Sequence, residues 1–241
     1  MKILKSICTV LFVLSLSSCA HQDASETADV CYADYVNPFI GTDFTGNTYP
    51  GAQVPFGMVQ LSPDNGLPGW DRISGYFYPD STIAGFSHTH LSGTGAGDLY
   101  DISFMPVTLP YKEAEEPLGI HSLFSHADES ASAGYYRVLL KDYDINVELT
   151  ATERCGIQRY TFPQADAAVI LNLRKAMNWD FTNDSYIEKV DSVTIRGYRF
   201  SDGWARDQRI FFCTRFSRPF ESMQLDSAAV LKDGKKIGTS V

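Results

Sequence analysis

Between Asp144 and Ala151 the residues alternate without a break, with Ile145, Val147, Leu149 and Ala151 on one side and Asp144, Asn146, Glu148 and Thr150 on the other. Successive side chains of a strand point to opposite faces, so a period of two marks an extended segment with one face in a core. No stretch from Tyr35 onward holds a helical period over ten or more residues. Short apolar runs recur instead, separated by Gly, Pro, Asn and Asp. They predict strands at Pro55–Leu61, Thr82–Ser87, Ile102–Pro106, Tyr135–Lys141, Gln158–Phe162, Ala167–Leu173, Ser192–Phe200 and Arg209–Phe216. Asp233-Gly234 between Val230 and Ile237 reads as a two-residue hairpin turn. Strands about ten to twenty residues apart, with no helix between them, predict an all-β chain folded as an antiparallel β-sandwich. The 13% aromatic content fits half-buried pleated surfaces.

The N-terminus is read separately from this body. Lys2 and Lys5 precede an apolar run from Ile7 to Leu16, and Leu16-Ser17-Ser18-Cys19 follows. This is a secretory signal over residues 1–18, and the small residues before Cys19 resemble a bacterial lipobox, which makes Cys19 the expected lipidation site. The apolar run is shorter than the roughly twenty residues that span a bilayer as a permanent helix. Residues 19–34 are small, polar and acidic, as in a flexible tether, and the folded body is expected over 35–241, incomplete at its C-terminus. A lipid anchor in the cell envelope follows, and Ala20 after Cys19 resembles lipoproteins sent to the outer membrane. Without the signal, 18 basic residues face 29 acidic ones. Such a surface excludes nucleic acid as a partner, because binding it needs clustered Lys and Arg against the phosphates. Cys31, Cys155 and Cys213 remain after Cys8 and Cys19 are set aside, an odd number that rules out a disulfide scaffold. They are expected to be small buried residues or inert thiols.

Glycine, proline and aromatic residues concentrate between 37 and 106. Gly93-Thr94-Gly95-Ala96-Gly97 lacks both the spacing of a dinucleotide fingerprint and the lysine of a P-loop. His88 and His90 stand two apart, so on a strand both rings would face one side, with Asp98 and Asp101 as possible further metal ligands. The simpler reading has the two histidines hydrogen-bonding backbone groups of the glycine loop, because no third ligand has a fitting spacing. Ser92, His88 and Asp98 could compose a triad, but no nucleophile-elbow pattern surrounds Ser92. A third reading is carbohydrate binding. Trp70-Asp71 sets a flat apolar face beside a hydrogen-bond acceptor, which suits a hexose with its C–H face and its hydroxyls. Trp204, in Ser201-Asp202-Gly203-Trp204-Ala205, repeats the arrangement on a turn.

The ordered motifs VNPFIGT, YPGAQVPFGMVQLSPD, GWD, SGY, GFSHTHLSGTGAGD and MP, followed later by DGWA, resemble the N-terminal domain of the family 92 glycoside hydrolases, calcium-dependent α-mannosidases. The resemblance runs from about residue 35 to the end of the chain and is densest over 36–106. It implies a sandwich of the galactose-mutarotase-like supersandwich type, forming the N-terminal domain of a larger enzyme. That domain would pack on an (α/α)6 catalytic domain and complete its cleft, and the enzyme would act on mannose-containing glycans with inversion. An inverting glycosidase needs a carboxylic acid and a separate carboxylate base. The resemblance implies that both, and the calcium ligands, belong to the C-terminal domain, so no catalytic or metal role falls on this chain and the chain alone should be inactive. Trp70 and Asp71 are then the first candidates for substrate contact. His88, His90, Thr94 and Gly95 follow as cleft-lining or docking residues, and Trp204 after them. The alternative is a free-standing carbohydrate-binding or structural envelope lipoprotein without catalysis.

Overall fold

The computed structural model of the chain describes residues 30–93, 95–115, 117–174, 179–225, 230–232 and 235–237. The signal region, Cys19, most of the tether, Thr94 and the Asp233-Gly234 turn lie outside the described residues. In chain order the strands are β1 (Ala52–Gln53), β2 (Gln60–Asp64), β3 (Thr82–Ile83), β4 (Gly85–Ser87), β5 (Ser103–Thr108), β6 (Ser122–Leu123), β7 (Glu129–Ser132), β8 (Tyr135–Leu140), β9 (Ile145–Ala151), β10 (Gly156–Thr161), β11 (Ala167–Asn172), β12 (Phe181–Lys189), β13 (Thr194–Asp202), β14 (Gln208–Arg215), β15 (Val230–Lys232) and β16 (Lys235–Ile237). Every helical segment among the described residues is a short 3-10 turn.

Among the described residues all strand pairs are antiparallel, and the three larger sheets stack in layers across two cores. The middle sheet runs β1-β2-β4-β5-β11, with β10-β9-β8-β7 on one side and β12-β13-β14 on the other. The first core lies between the middle and four-stranded sheets, where Leu61, Phe86, Met105, Val107 and Ile170 meet Tyr136, Val138, Leu140, Ile145, Val147 and Leu149. Ile102, Phe104, Leu171 and Leu173 point the other way, into a second core with Ile187 and Ile195. Strand β5 of the middle sheet is therefore buried on both faces, which is why the run Phe104–Val107 is continuously apolar rather than alternating. In β9 the alternation holds as read: Ile145, Val147 and Leu149 are at most 1% exposed. Each contributes about 1.5–3 kcal/mol by leaving water.

Four strands escape the sequence reading. β1 and β6 are two residues long. β7 (ESAS) and β12 (FTNDSYIEK) are rich in residues depleted from strands, and their pairing comes from neighbours rather than from their own composition. The strand expected at Pro55–Leu61 begins only at Gln60. Its first half is a turn, with Gly57 N–H on the Val54 carbonyl at 3.0 Å and Phe56 at a φ of 60°. Proline cannot supply a ladder N–H at Pro55, and the chain turns there instead. The cysteines also differ from expectation. Cys31, Cys155 and Cys213 are free and exposed. Cys213 lies on the uncovered face of β14, whose other face holds Ile210 and Phe212 against the second core.

Candidate functional site

Trp70 and Asp71 sit on the 3-10 turn Trp70–Arg72, and Arg72 anchors the turn by a forked bond to Asp80 at 2.5 and 2.6 Å. Trp70 is 56% exposed, and a second indole, Trp179, packs beside it with ring centroids 6.0 Å apart at 58°. Gly95 approaches the Trp70 ring closely enough that a Cβ there would lie 3.4 Å from it. The Trp179 backbone N–H donates to the Gly97 carbonyl at 3.3 Å. Trp204, 75% exposed, stands on the loop after β13. Its neighbour Gly203 abuts Asp98 so tightly that a Cβ would fall 2.0 Å from Asp98 Oδ1, and Ala205 N–H donates to Asp98 Oδ2 at 3.0 Å. The glycine loop thus links three exposed indoles.

A buried charge centre lies beneath. The Arg199 guanidinium, wholly inaccessible on β13, reaches Asp101 at 2.6 Å and makes a shorter bond to Asp180, with Thr182 and Ser201 as further partners at 2.9 and 3.1 Å. Asp101 also accepts from Thr89 Oγ1 at 2.6 Å. Arg199 therefore joins the strand before Trp204, the residue after Trp179 and the chain leaving the glycine loop. The backbone around Asp98 and Asp101 is strained: Leu99, Tyr100 and Ile102 have φ values of 80°, 65° and 56°. Each non-glycine residue in this region costs on the order of 1–3 kcal/mol. The twist turns Asp98 and Asp101 both inward, to 1% and 0% exposure, and lets the Tyr100 hydroxyl donate to the Ile73 carbonyl.

Burial pushes the Asp180 carboxyl up to about 6, against the opposing pull of Arg199. A raised carboxyl pKa means that the folded chain holds the proton more tightly than the unfolded chain. Its contribution to stability is greatest below about pH 4 and is lost as pH rises through about 6, by up to about 3 kcal/mol. In urea melts, the wild type should lose stability relative to Asp180→Asn between pH 4 and pH 7. A relative gain over that interval would mean that Arg199 instead keeps the carboxylate ionised.

The two histidines diverge, because β4 ends at Ser87 and His88 and His90 do not continue it as a strand. His88 Nδ1 bonds the Ile102 carbonyl at 2.8 Å and its ring stands edge-on to Phe104, where burial lowers its pKa. His90, 3% exposed, bonds the Gln60 carbonyl at 2.7 Å through Nδ1, and Asp64 Oδ1 at 2.9 Å through Nε2. Both thus engage backbone groups as expected, but those of β2 and of the entry to β5 rather than of the glycine loop. They brace the site from behind. Asp98 and Asp101 do not join them as ligands: Asp101 is taken by Arg199 and Thr89, and Asp98 by the Trp204 loop. Among the described residues, no three His, Cys, Asp or Glu side chains are placed to hold a metal ion. These residues do not compose a calcium site.

Trp179, Asp180 and Arg199 are absent from the sequence reading. Trp179-Asp180 repeats the Trp70-Asp71 dipeptide and was accessible by the same criterion, whereas nothing local marks Arg199 as buried.

The sequence model of the "Glycosyl hydrolase family 92 N-terminal domain" matches residues 35–240. The fold is similar to that of the family GH92 α-mannosidase BT3965 of Bacteroides thetaiotaomicron, solved with mannoimidazole, at 38% identity and a TM-score of 0.74 over 87% of this chain and 29% of that one. It is also similar to the inverting mannosidase BT2199 of the same organism, at 27% identity and a TM-score of 0.66 over 87% of this chain and 28% of that one. An uncharacterized secreted glycosidase of Arthroderma benhamiae is 29% identical over 140 residues, which are 55% of this chain and 18% of that protein. The chain thus spans less than a third of the length of these relatives. With a match that runs from residue 35 almost to the end, the chain belongs to glycoside hydrolase family 92, through its N-terminal domain.

Proposed function

We propose that this chain is the N-terminal portion of an exported, inverting, calcium-dependent α-mannosidase, and that its sandwich packs on an (α/α)6 catalytic domain and completes that domain's cleft. The observation that carries the reading is the group of exposed indoles tied to the glycine loop over a rigid buried charge centre. Trp70 and Trp179 offer apolar faces to the C–H side of a hexose, and exposed Asp71 offers an acceptor to its hydroxyls. Gly95 leaves room beside Trp70, and Trp204 extends the apolar rim. His88 and His90 hold the strands behind these loops.

Inversion requires an acid and a base on opposite faces of the sugar, with space for water between them. In this reading both groups, and the protein ligands to calcium, come from the rest of the longer enzyme. The ion's chemistry is to bind sugar hydroxyls as a hard Lewis acid. This chain binds and orients the glycan and helps exclude water. Residues 1–18 direct export and Cys19 anchors the protein by lipid in the envelope, at the outer membrane; the secreted description of the fungal relative supports export.

The purified chain should show no hydrolysis of an α-mannoside with calcium present. Turnover that disappears on mutating a carboxylate within residues 35–241 would overturn this placement of the catalytic groups. Reading the gene beyond the Val241 codon separates the enzyme from a free-standing envelope lipoprotein: an in-frame helical domain supports the former, unrelated sequence the latter.

A further inference from the structure

Glu129 opens β7 with its carboxyl group turned inward, 1% exposed. The Tyr136 hydroxyl donates to one of its oxygens at 2.6 Å, and the Tyr76 hydroxyl reaches both at 3.0 Å. Burial, and after it the charge of Glu129, pushes both phenols up, so the two hydroxyls stay donors. A third bond comes from Nδ1 of His126 at 2.7 Å, on the 3-10 turn His126–Asp128. Among the described residues no lysine or arginine pairs with this carboxylate. A buried carboxylate without a cation is costly, so the charge balance falls on His126. Its other nitrogen, Nε2, meets the Tyr78 carbonyl oxygen at 2.7 Å. A neutral imidazole offers one donor and one acceptor, whereas Glu129 and the carbonyl both accept. The two bonds form together only when each ring nitrogen carries a proton. The ring also lies flat on Tyr78, with centroids 3.9 Å apart at 5°, as a cation does on an aromatic face.

Tyr78 stands two residues before Asp80, the carboxylate that holds the Arg72 fork of the Trp70 turn. The Asp80 N–H closes back on the Phe77 carbonyl at 3.0 Å, and the Tyr78 N–H donates to the Thr42 carbonyl at 2.8 Å. The segment Phe77–Asp80 thus meets the Trp70 turn through Asp80 and His126 through Tyr78. Other charged groups on the elements around the ring are taken: Asp80 by Arg72, and Asp128 by Lys141 at 3.5 Å. We propose that His126 is an imidazolium in the folded chain and works as a proton-dependent latch on the segment that anchors Trp70. Removing one proton sets an acceptor against Glu129 or against the Tyr78 carbonyl, and that bond is lost. The latch is closed where the ring carries both protons and opens as alkaline pH takes one. Its bearing on glycan contact rests on the function proposed above, whereas the ring protons and the response of the indole do not.

Nitrogen NMR of the purified chain at about pH 7.5, where a histidine in an unfolded chain is about nine-tenths neutral, should show protons on both ring nitrogens of His126. The signals are assigned by their loss in His126→Gln. As pH is raised further, tryptophan fluorescence should change together with loss of the second ring proton, and Trp70→Phe should remove that change. In His126→Gln the fluorescence should no longer follow pH, and the Asp80 amide should exchange with solvent about tenfold faster or more, because a charge-assisted bond is gone. If His126→Gln does not fold by circular dichroism, the wild-type ring signals, assigned through bonds, decide alone. The proposal is overturned by a single ring proton at about pH 7.5, by a fluorescence titration that persists unchanged in His126→Gln, or by an Asp80 amide that exchanges there as in wild type. A chain that keeps both ring protons and the linked fluorescence but binds no α-mannose oligosaccharide upholds the latch and counts against the proposed glycan contact instead.

Discussion

Replacing Arg199 with methionine is expected to cost about 3–5 kcal/mol, because it leaves Asp101 and Asp180 buried without their common cation. That is a large part of the roughly 5–15 kcal/mol that holds a domain together. The loss should appear as a lower urea midpoint, or as failure to fold. Methionine keeps much of the volume, so the penalty isolates charge and hydrogen bonding rather than a cavity. Lysine keeps the charge but not the planar fork that serves Asp101, Asp180, Thr182 and Ser201 together, and should recover only part of the loss. A methionine variant within about 1 kcal/mol of wild type would mean that the carboxyls are neutral in the folded chain and Arg199 is dispensable. The loops carrying Trp179 and Trp204 and the glycine loop all rest on this group, so partial loss of stability should come with loss of any glycan-induced change in tryptophan fluorescence.

Gly197→Ala is the second change with a large expected effect. Gly197 lies mid-strand in β13, opposite Ile187 on β12 and Phe212 on β14. An added Cβ would sit 1.9 Å from the Tyr186 carbonyl oxygen and 3.0 Å from the Phe212 ring. The ring can turn, but the carbonyl belongs to the neighbouring strand's backbone and moves only if β12 separates from β13. A cost of about 3 kcal/mol, at the upper end for overpacking, is expected in equilibrium unfolding. Gly134→Ala is the control: it has open space around its Cβ and a φ of 77°. It should cost only the roughly 1 kcal/mol of a left-handed alanine. Equal losses at the two positions would show that the β12–β13 contact yields more easily than its geometry implies.

Strand period is a local property, and where one face of a strand met a core the sequence announced it. β8, β9 and β10 form close to where the alternation and the turn residues between them predict, because a strand with a clean apolar face can bury it in only one register. The neighbourhood of the site was legible for a related reason: glycines, paired aromatics and a Trp-Asp dipeptide have few uses in a regular strand, so their concentration over 37–106 pointed to shaped loops. β12 was not legible, since Asn183, Asp184, Glu188 and Lys189 belong to a strand only when β13 is beside it. The cysteines misled for the same reason, because exposure at Cys213 depends on which face of β14 is covered.

The sequence by itself determined an all-β chain, the faces of its alternating strands and the family it belongs to. Only the tertiary structure decided which side chains meet. Arg199 and Asp101 are 98 positions apart in the chain, and Ala205 and Asp98 are 107 apart. Trp70 and Trp179 likewise come together from different layers' loops. Contacts of that range follow from how the three sheets stack and how the strained turn at Leu99–Ile102 aims its carboxylates. A period of two residues carries information about the face of one strand, but none about what the next layer will place against it.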